Sequence, residues 1–191
     1  MVSNADGAVR ARLFFALWPP PEVVRGLRRL QVRELAQVPG RRIDPERLHL
    51  TLRFVGPVAA PVADCLRRAA AAVRISPFTL HIDRLGAFPR AKVVWAGVAR
   101  PPPELLALAA ALEAACQGCG LPAETRDFAP HLTLLRKAHR HLPRTDTPIE
   151  PLVWPVTEFV LAASETRPEG ALYRILARWP LRPSAEKPVG G

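Results

Sequence analysis

"RLHLTLRFVG", residues 47–56, reads as an extended segment with two different sides: Leu48, Leu50 and Leu52 fall on one, His49 and Thr51 on the other. One such pair means little, because a histidine on a strand is usually a hydrogen-bonded structural residue and threonine is a common strand residue. The arrangement returns in "PHLTLLRKA", residues 130–138, where His131 and Thr133 share a face. Two copies, both written HLTL, make the polar faces a candidate site. The leucines between them are expected to pack beneath helices.

The segments around these strands have a recognisable order. "ARLFFALWPP" (residues 11–20) reads as a strand ended by prolines, and a helix starts at Pro21 with apolar Val24, Leu27, Leu30 and Leu35. "PGRRIDPER" is a loop into the first histidine strand, and an alanine-rich helix follows over 59–74. "FTLHIDRLGAF" and "AKVVWAGVA", separated by the turn "PRAK", form a strand pair. "PPPELLALAAALEAACQGCG" predicts a third helix, bounded by proline and glutamate at its start and glycines at its end.

After the second histidine strand, residues 138–151 read as a polar, proline-rich loop. "PVTEFVLAAS" and "ALYRILARWPL" then form a hairpin around "ETRPEG". Each half thus supplies one HxT strand with antiparallel neighbours, a rough internal duplication. The expected fold is α+β: a bilobal, pseudo-two-fold arrangement of two antiparallel sheets flanked by helices, with a central groove. Residues 1–181 form one domain, and 182–191 a disordered tail.

Composition narrows the partners. Hydrophobic residues make up 49% and charged residues 23%, the profile of a globular chain. Lys plus Arg total 27 against 17 Asp plus Glu, a net charge of +10 that favours polyanions, nucleic acid first among them. No apolar run reaches the roughly 20 residues of a membrane span, and "MVSNADGAVRAR" has no secretory apolar region. The expected location is the cytoplasm, with no membrane partner. Cys65, Cys116 and Cys119 are too few and odd in number for a secreted disulfide framework, and "CQGC" lacks the second pair of a zinc site. No GxxxxGK loop is present, so ATP use is not expected.

Paired histidines with adjacent hydroxyls suit phosphodiester hydrolysis. One ring can act as base on the nucleophile while the other protonates the leaving oxygen, each transfer contributing roughly 10²–10⁴-fold. Threonine hydroxyls can donate to the non-bridging oxygens as charge develops. This chemistry requires no cofactor and no metal.

The paired HLTL motifs resemble the two-histidine (HxT) phosphoesterase superfamily. With "RLFFALWPP", "LHLTLRFVG", "LGAFPRAKVVWAGV", "FAPHLTLLR" and "YRILARWPL" in this order, the chain resembles its RNA 2′,3′-cyclic phosphodiesterase family, historically called 2′-5′ RNA ligases. The resemblance runs from about Arg12 to Leu181. It implies metal-independent hydrolysis of an RNA terminal 2′,3′-cyclic phosphate to a 2′-phosphomonoester, ligation being the reverse reaction. It also implies that His49 is the proton donor, that His131 is the proton acceptor activating water, and that Thr51 and Thr133 hold the phosphate oxygens.

Arg136 stands where that family has an arginine, yet in an unbroken strand it would point away from His131. Arg53 shares the nominal face of His49 and Thr51 and is a candidate phosphate contact, the alternative being a solvated charge at the groove edge. Phe14 and Phe128 are candidates for stacking on a base. Ile43 replaces the aromatic residue that relatives often carry at that place. Alternative substrates are 2′,5′-oligonucleotides and small nucleotide cyclic phosphates, and a non-catalytic RNA-binding module is the alternative of another class. Nothing in the sequence demands more than a monomer.

Overall fold

The computed structural model describes residues 2–3, 9–144, 146–167 and 170–183. Its strands are β1 (Val2–Ser3), β2 (Val9–Leu17), β3 (Arg41–Arg42), β4 (Leu50–Val58), β5 (Phe78–Phe88), β6 (Val93–Gly97), β7 (His131–Arg136), β8 (Thr147–Val156), β9 (Glu158–Arg167) and β10 (Gly170–Pro180). Its helices are α1 (Pro21–Arg33), α2 (Ala60–Ala71) and α3 (Pro103–Gly118). The main strands follow the order β10-β9-β2-β4-β7-β6-β5-β8, with β1 beside β2 and β3 beside β7. Every pairing between these strands is antiparallel.

Two lobes arise because the sheet is pinched at its centre. Strands β4 and β7 share a single residue pair, Leu50 with Leu132. Each of these leucines lies between the histidine and threonine of its own motif. Continuing that antiparallel register by one residue sets His49 across from Thr133 and Thr51 across from His131. Beyond the pair the strands diverge, and the groove opens between them.

Strand β2 shows why the first lobe holds together. Leu13, Phe15 and Leu17 join the large core beneath the helices, whereas Phe14 and Ala16 join a second cluster with Val160 and Ala162, against which Trp18, Tyr173 and Ile175 pack. Alternation along one apolar strand thus supplies both the main core and an apolar wall beside His49. Helix α1 begins at a proline, as expected, and buries Val23, Leu27 and Gln31.

Two expectations need correction. The segment read as a loop over 138–151 contains the start of β8, which runs from Thr147 with prolines at 148, 151 and 155. It is an edge strand paired only with β5, and such an edge tolerates residues that cannot donate to a ladder. Cys65 and Cys119, 54 residues apart, are joined by a disulfide between α2 and the end of α3, and Cys116 is left as a buried thiol. The tip of the β9–β10 hairpin, residues 168–169, and the expected tail from residue 184 onward lie outside the described residues. Within the expected tail, Arg182 forms an isolated bridge with Ile75.

Candidate active site

His49, Thr51, His131 and Thr133 all line one cavity of about 400 Å³ in the groove. Each motif enters it from a different lobe, and all four side chains are half-buried. The rings are oriented alike. His49 donates from Nδ1 to the carbonyl of Arg47 at 2.7 Å, and His131 from Nδ1 to the carbonyl of Ala129 at 2.8 Å. A carbonyl can only accept, so the proton sits on Nδ1 and the neutral ring presents a bare Nε2. In both motifs the partner carbonyl belongs to the residue two before the histidine.

Aromatic side chains hold the rings. Trp18 stacks on His49 with centroids 5.4 Å apart, while Phe14 and Tyr173 lie 5.0 Å and 4.9 Å from it. Phe88 meets His131 edge-on at 5.1 Å. Burial pushes the His49 pKa down from 6.5 to about 4. The hydrogen bond to Arg47 opposes this fall, and the positive charges of Arg136 and His131 add to it. His131 is also lowered, first by burial, against its bond to Ala129, and further by Arg136.

Matching bulges sort the remaining candidates. In β7, Val94 pairs with Leu135 but Trp95 pairs with Thr133, leaving Leu134 as an extra residue. That residue shifts the alternation, so Leu134 and Leu135 are both buried and Arg136 returns to the face of His131 and Thr133. In β4, Phe15 pairs with Arg53 and Ala16 with Thr51, leaving Leu52 as the extra residue. Here the shift turns Arg53 away from the cavity.

Arg53, expected near the phosphate, instead forms ion pairs with Glu113 and Glu124 and donates to the carbonyls of Phe54 and Pro122. Phe54 takes its place on the cavity wall. Phe128 packs against the main core and is not among the lining residues. Phe14 lines the cavity but is 3% exposed, and its ring is tilted against His49. It supports the ring rather than offering a surface to a base.

The bulge in β7 is held from behind. Gln31, the one buried polar residue among those described, donates from Nε2 to the carbonyls of Leu134 at 3.0 Å and Ile43 at 2.9 Å. The amide of Ile43 also donates to Leu134. Helix α1 and the residue after β3 together satisfy the backbone group that the bulge withdraws from the ladder. Sequence reading missed Gln31, Phe54, Arg12, Arg41, Arg47 and Tyr173, of which all but Gln31 line the cavity. The available signal was the parallel spacing of Phe54 and Arg136, each five residues past its histidine.

Two histidine rings at one arginine-lined cavity, on a duplicated α+β fold, have the chemistry of a phosphoester-handling site. The profile of the 2′-5′ RNA ligase superfamily matches residues 19–167, and the chain belongs to that family. It is 36% identical over 172 residues to the Escherichia coli protein named RNA 2′,3′-cyclic phosphodiesterase, covering 89% of this chain and 96% of that one. A Thermus thermophilus protein of the same name is 31% identical over 180 residues, 90% of each chain. The crystal structure of E. coli LigT complexed with 3′-AMP matches with a TM-score of 0.83 and 35% identity, over 90% of this chain and 98% of that one.

Proposed function

We propose that this protein is an RNA 2′,3′-cyclic phosphodiesterase that hydrolyses the terminal cyclic phosphate to a 2′-phosphomonoester without a metal. The observation that carries the reading is the pair of histidines presenting bare Nε2 atoms to one arginine-lined cavity. A single chain supplies both rings, so a monomer is sufficient. The RNA end is the partner, ATP is not consumed, and the protein acts in the cytoplasm. No helix among the described residues is long and apolar enough to cross a membrane.

His131 takes a proton from water through Nε2 as the water oxygen bonds to phosphorus. The bond from phosphorus to O3′ breaks, and His49 gives its Nε2 proton to that oxygen. Thr51, Thr133 and Arg136 hold the non-bridging oxygens as charge builds on them. Burial keeps His49 neutral at pH 7, so the ring takes up its Nε2 proton from solvent as the anionic substrate binds. The phosphate anion counters the push from Arg136 and raises the affinity of the ring for a proton.

Incubation with RNA bearing a terminal 2′,3′-cyclic phosphate, in EDTA, tests the reaction. Turnover to the 2′-phosphate should fall about 10²–10⁴-fold in His49→Ala and His131→Ala. Turnover only with added metal contradicts the mechanism, and unchanged turnover in the variants contradicts the assignment of the pair. Binding of RNA without any turnover would favour a binding module instead.

A further inference from the structure

Strand β2 alternates regularly: Arg12, Phe14 and Ala16 face the groove, while Leu13, Phe15 and Leu17 enter the main core. Ala16 pairs with Thr51 in the β2–β4 ladder, and the extra residues of that ladder, Leu52 and Val55, both lie in β4. A rise of about 3.3 Å per residue therefore sets the α-carbon of Arg12 about 13 Å along β2 from that of Ala16. Arg12 lines the same cavity as Thr51, but from a point too far along its wall to act on the same phosphate.

Other arginines around the groove have acidic partners, Arg47 in Asp44 at 3.4 Å and Arg53 in Glu113 and Glu124. Arg12 has none. It is half-buried, its Nε is buried without a hydrogen-bond partner, and no ion pair among the described residues includes it. Its guanidinium lies over the Phe54 ring, 5.8 Å from the centroid, and a structural reading assigns it no more than this contact. A ring engages only the face of a guanidinium and leaves the N–H donors at its edge unsatisfied. A half-buried cation with free donors at a cavity wall is costly unless an anion completes it. Ser164, opposite Arg12 in the β2–β9 ladder, lines the cavity beside it and adds a hydroxyl. The planar fork of arginine matches the two free oxygens of a phosphodiester.

Building on the reaction proposed above, we propose that Arg12, with the Ser164 hydroxyl, forms a second anion subsite for the phosphodiester on the 5′ side of the nucleotide bearing the cyclic phosphate. The reacting phosphate sits between the histidines, the ribose spans the cavity, and the 5′ phosphoryl group reaches Arg12. The site thus measures a nucleotide by its two phosphates. It prefers a chain end, or a 5′-phosphorylated mononucleotide, to a nucleoside cyclic phosphate with a free 5′ hydroxyl.

Steady-state kinetics on adenosine 2′,3′-cyclic phosphate, with and without a 5′ phosphate, test the subsite in the wild type, Arg12→Gln and Arg12→Lys. The wild-type KM should be about tenfold or more lower for the 5′-phosphorylated substrate. Arg12→Gln should bring the two KM values together by weakening the phosphorylated substrate. Arg12→Lys keeps the charge without the fork and should show an intermediate preference. No preference in the wild type, or equal weakening of both substrates in Arg12→Gln, would overturn the proposal. Calorimetric binding of adenosine 2′-phosphate and adenosine 2′,5′-bisphosphate separates the subsite from the reaction itself. Even if no substrate turned over, tighter binding of the bisphosphate that Arg12→Gln abolishes would uphold it, and equal affinity of the wild type for the two ligands would refute it.

Discussion

His49 is tuned by what surrounds it. Its ordinary value of 6.5 applies in the unfolded chain, whereas the folded ring resists protonation down to about pH 4. Stability contributed by neutral His49 is therefore complete above pH 6.5 and is lost as pH falls towards 4. The drop in urea midpoint between pH 7 and pH 5 should be smaller in His49→Asn than in the wild type; equal drops would contradict the burial argument. Nuclear magnetic resonance should also show the ring titrating at higher pH once inorganic phosphate occupies the site.

Gln31 carries the second test at this scale. Replacing it with leucine removes one donor from the buried Leu134 carbonyl, which keeps the Ile43 amide, and one from the half-buried Ile43 carbonyl, a cost of about 1 kcal/mol. It also frees the bulge that aims Arg136, so kcat/KM should fall about tenfold with the active-site residues intact. Both histidines and threonines were legible because a two-residue strand period needs no knowledge of neighbours. Gln31 was not, since its partners come from segments far along the chain.

Among the elements, the two bulges decide more of the site than either strand sequence does. A regular alternation from His49 places Arg53 in the cavity, and one from His131 turns Arg136 out. The extra residues Leu52 and Leu134 reverse both placements. Kinetics can show this reversal. Arg136→Gln should raise KM strongly, because it removes a cation from the cavity proposed to hold the phosphate.

Arg53→Gln touches no substrate but releases the connection between α3 and β7, which Arg53 grips at Pro122 and Glu124. Its effect should fall on kcat and on thermal stability, with KM near the wild-type value. A KM effect at Arg53 as large as at Arg136 would contradict the bulge geometry. The helices and the β5–β6 hairpin were readable from caps, periodicity and turn residues. Strand β8 was not, because three prolines disguise a strand that needs only one paired edge.

At the scale of the whole molecule, duplication explains why so short a motif builds a site. One leucine pair joins the lobes, and the register through it sets each histidine against the threonine of the other half. The groove, the matched Nδ1 bonds and the two bulges follow from the same near-symmetry. The duplicated architecture was visible in the order of segments, whereas the single-pair pinch and the Cys65–Cys119 link depend on long-range pairing that local patterns do not encode.

The most direct measurement is the product formed from an RNA oligonucleotide with a terminal 2′,3′-cyclic phosphate, in EDTA, by the wild type and by the two histidine variants. The account predicts a 2′-phosphate from the wild type and a loss of about 10²–10⁴-fold in each variant. A 3′-phosphate product, a requirement for added metal, or full activity in either variant would contradict it.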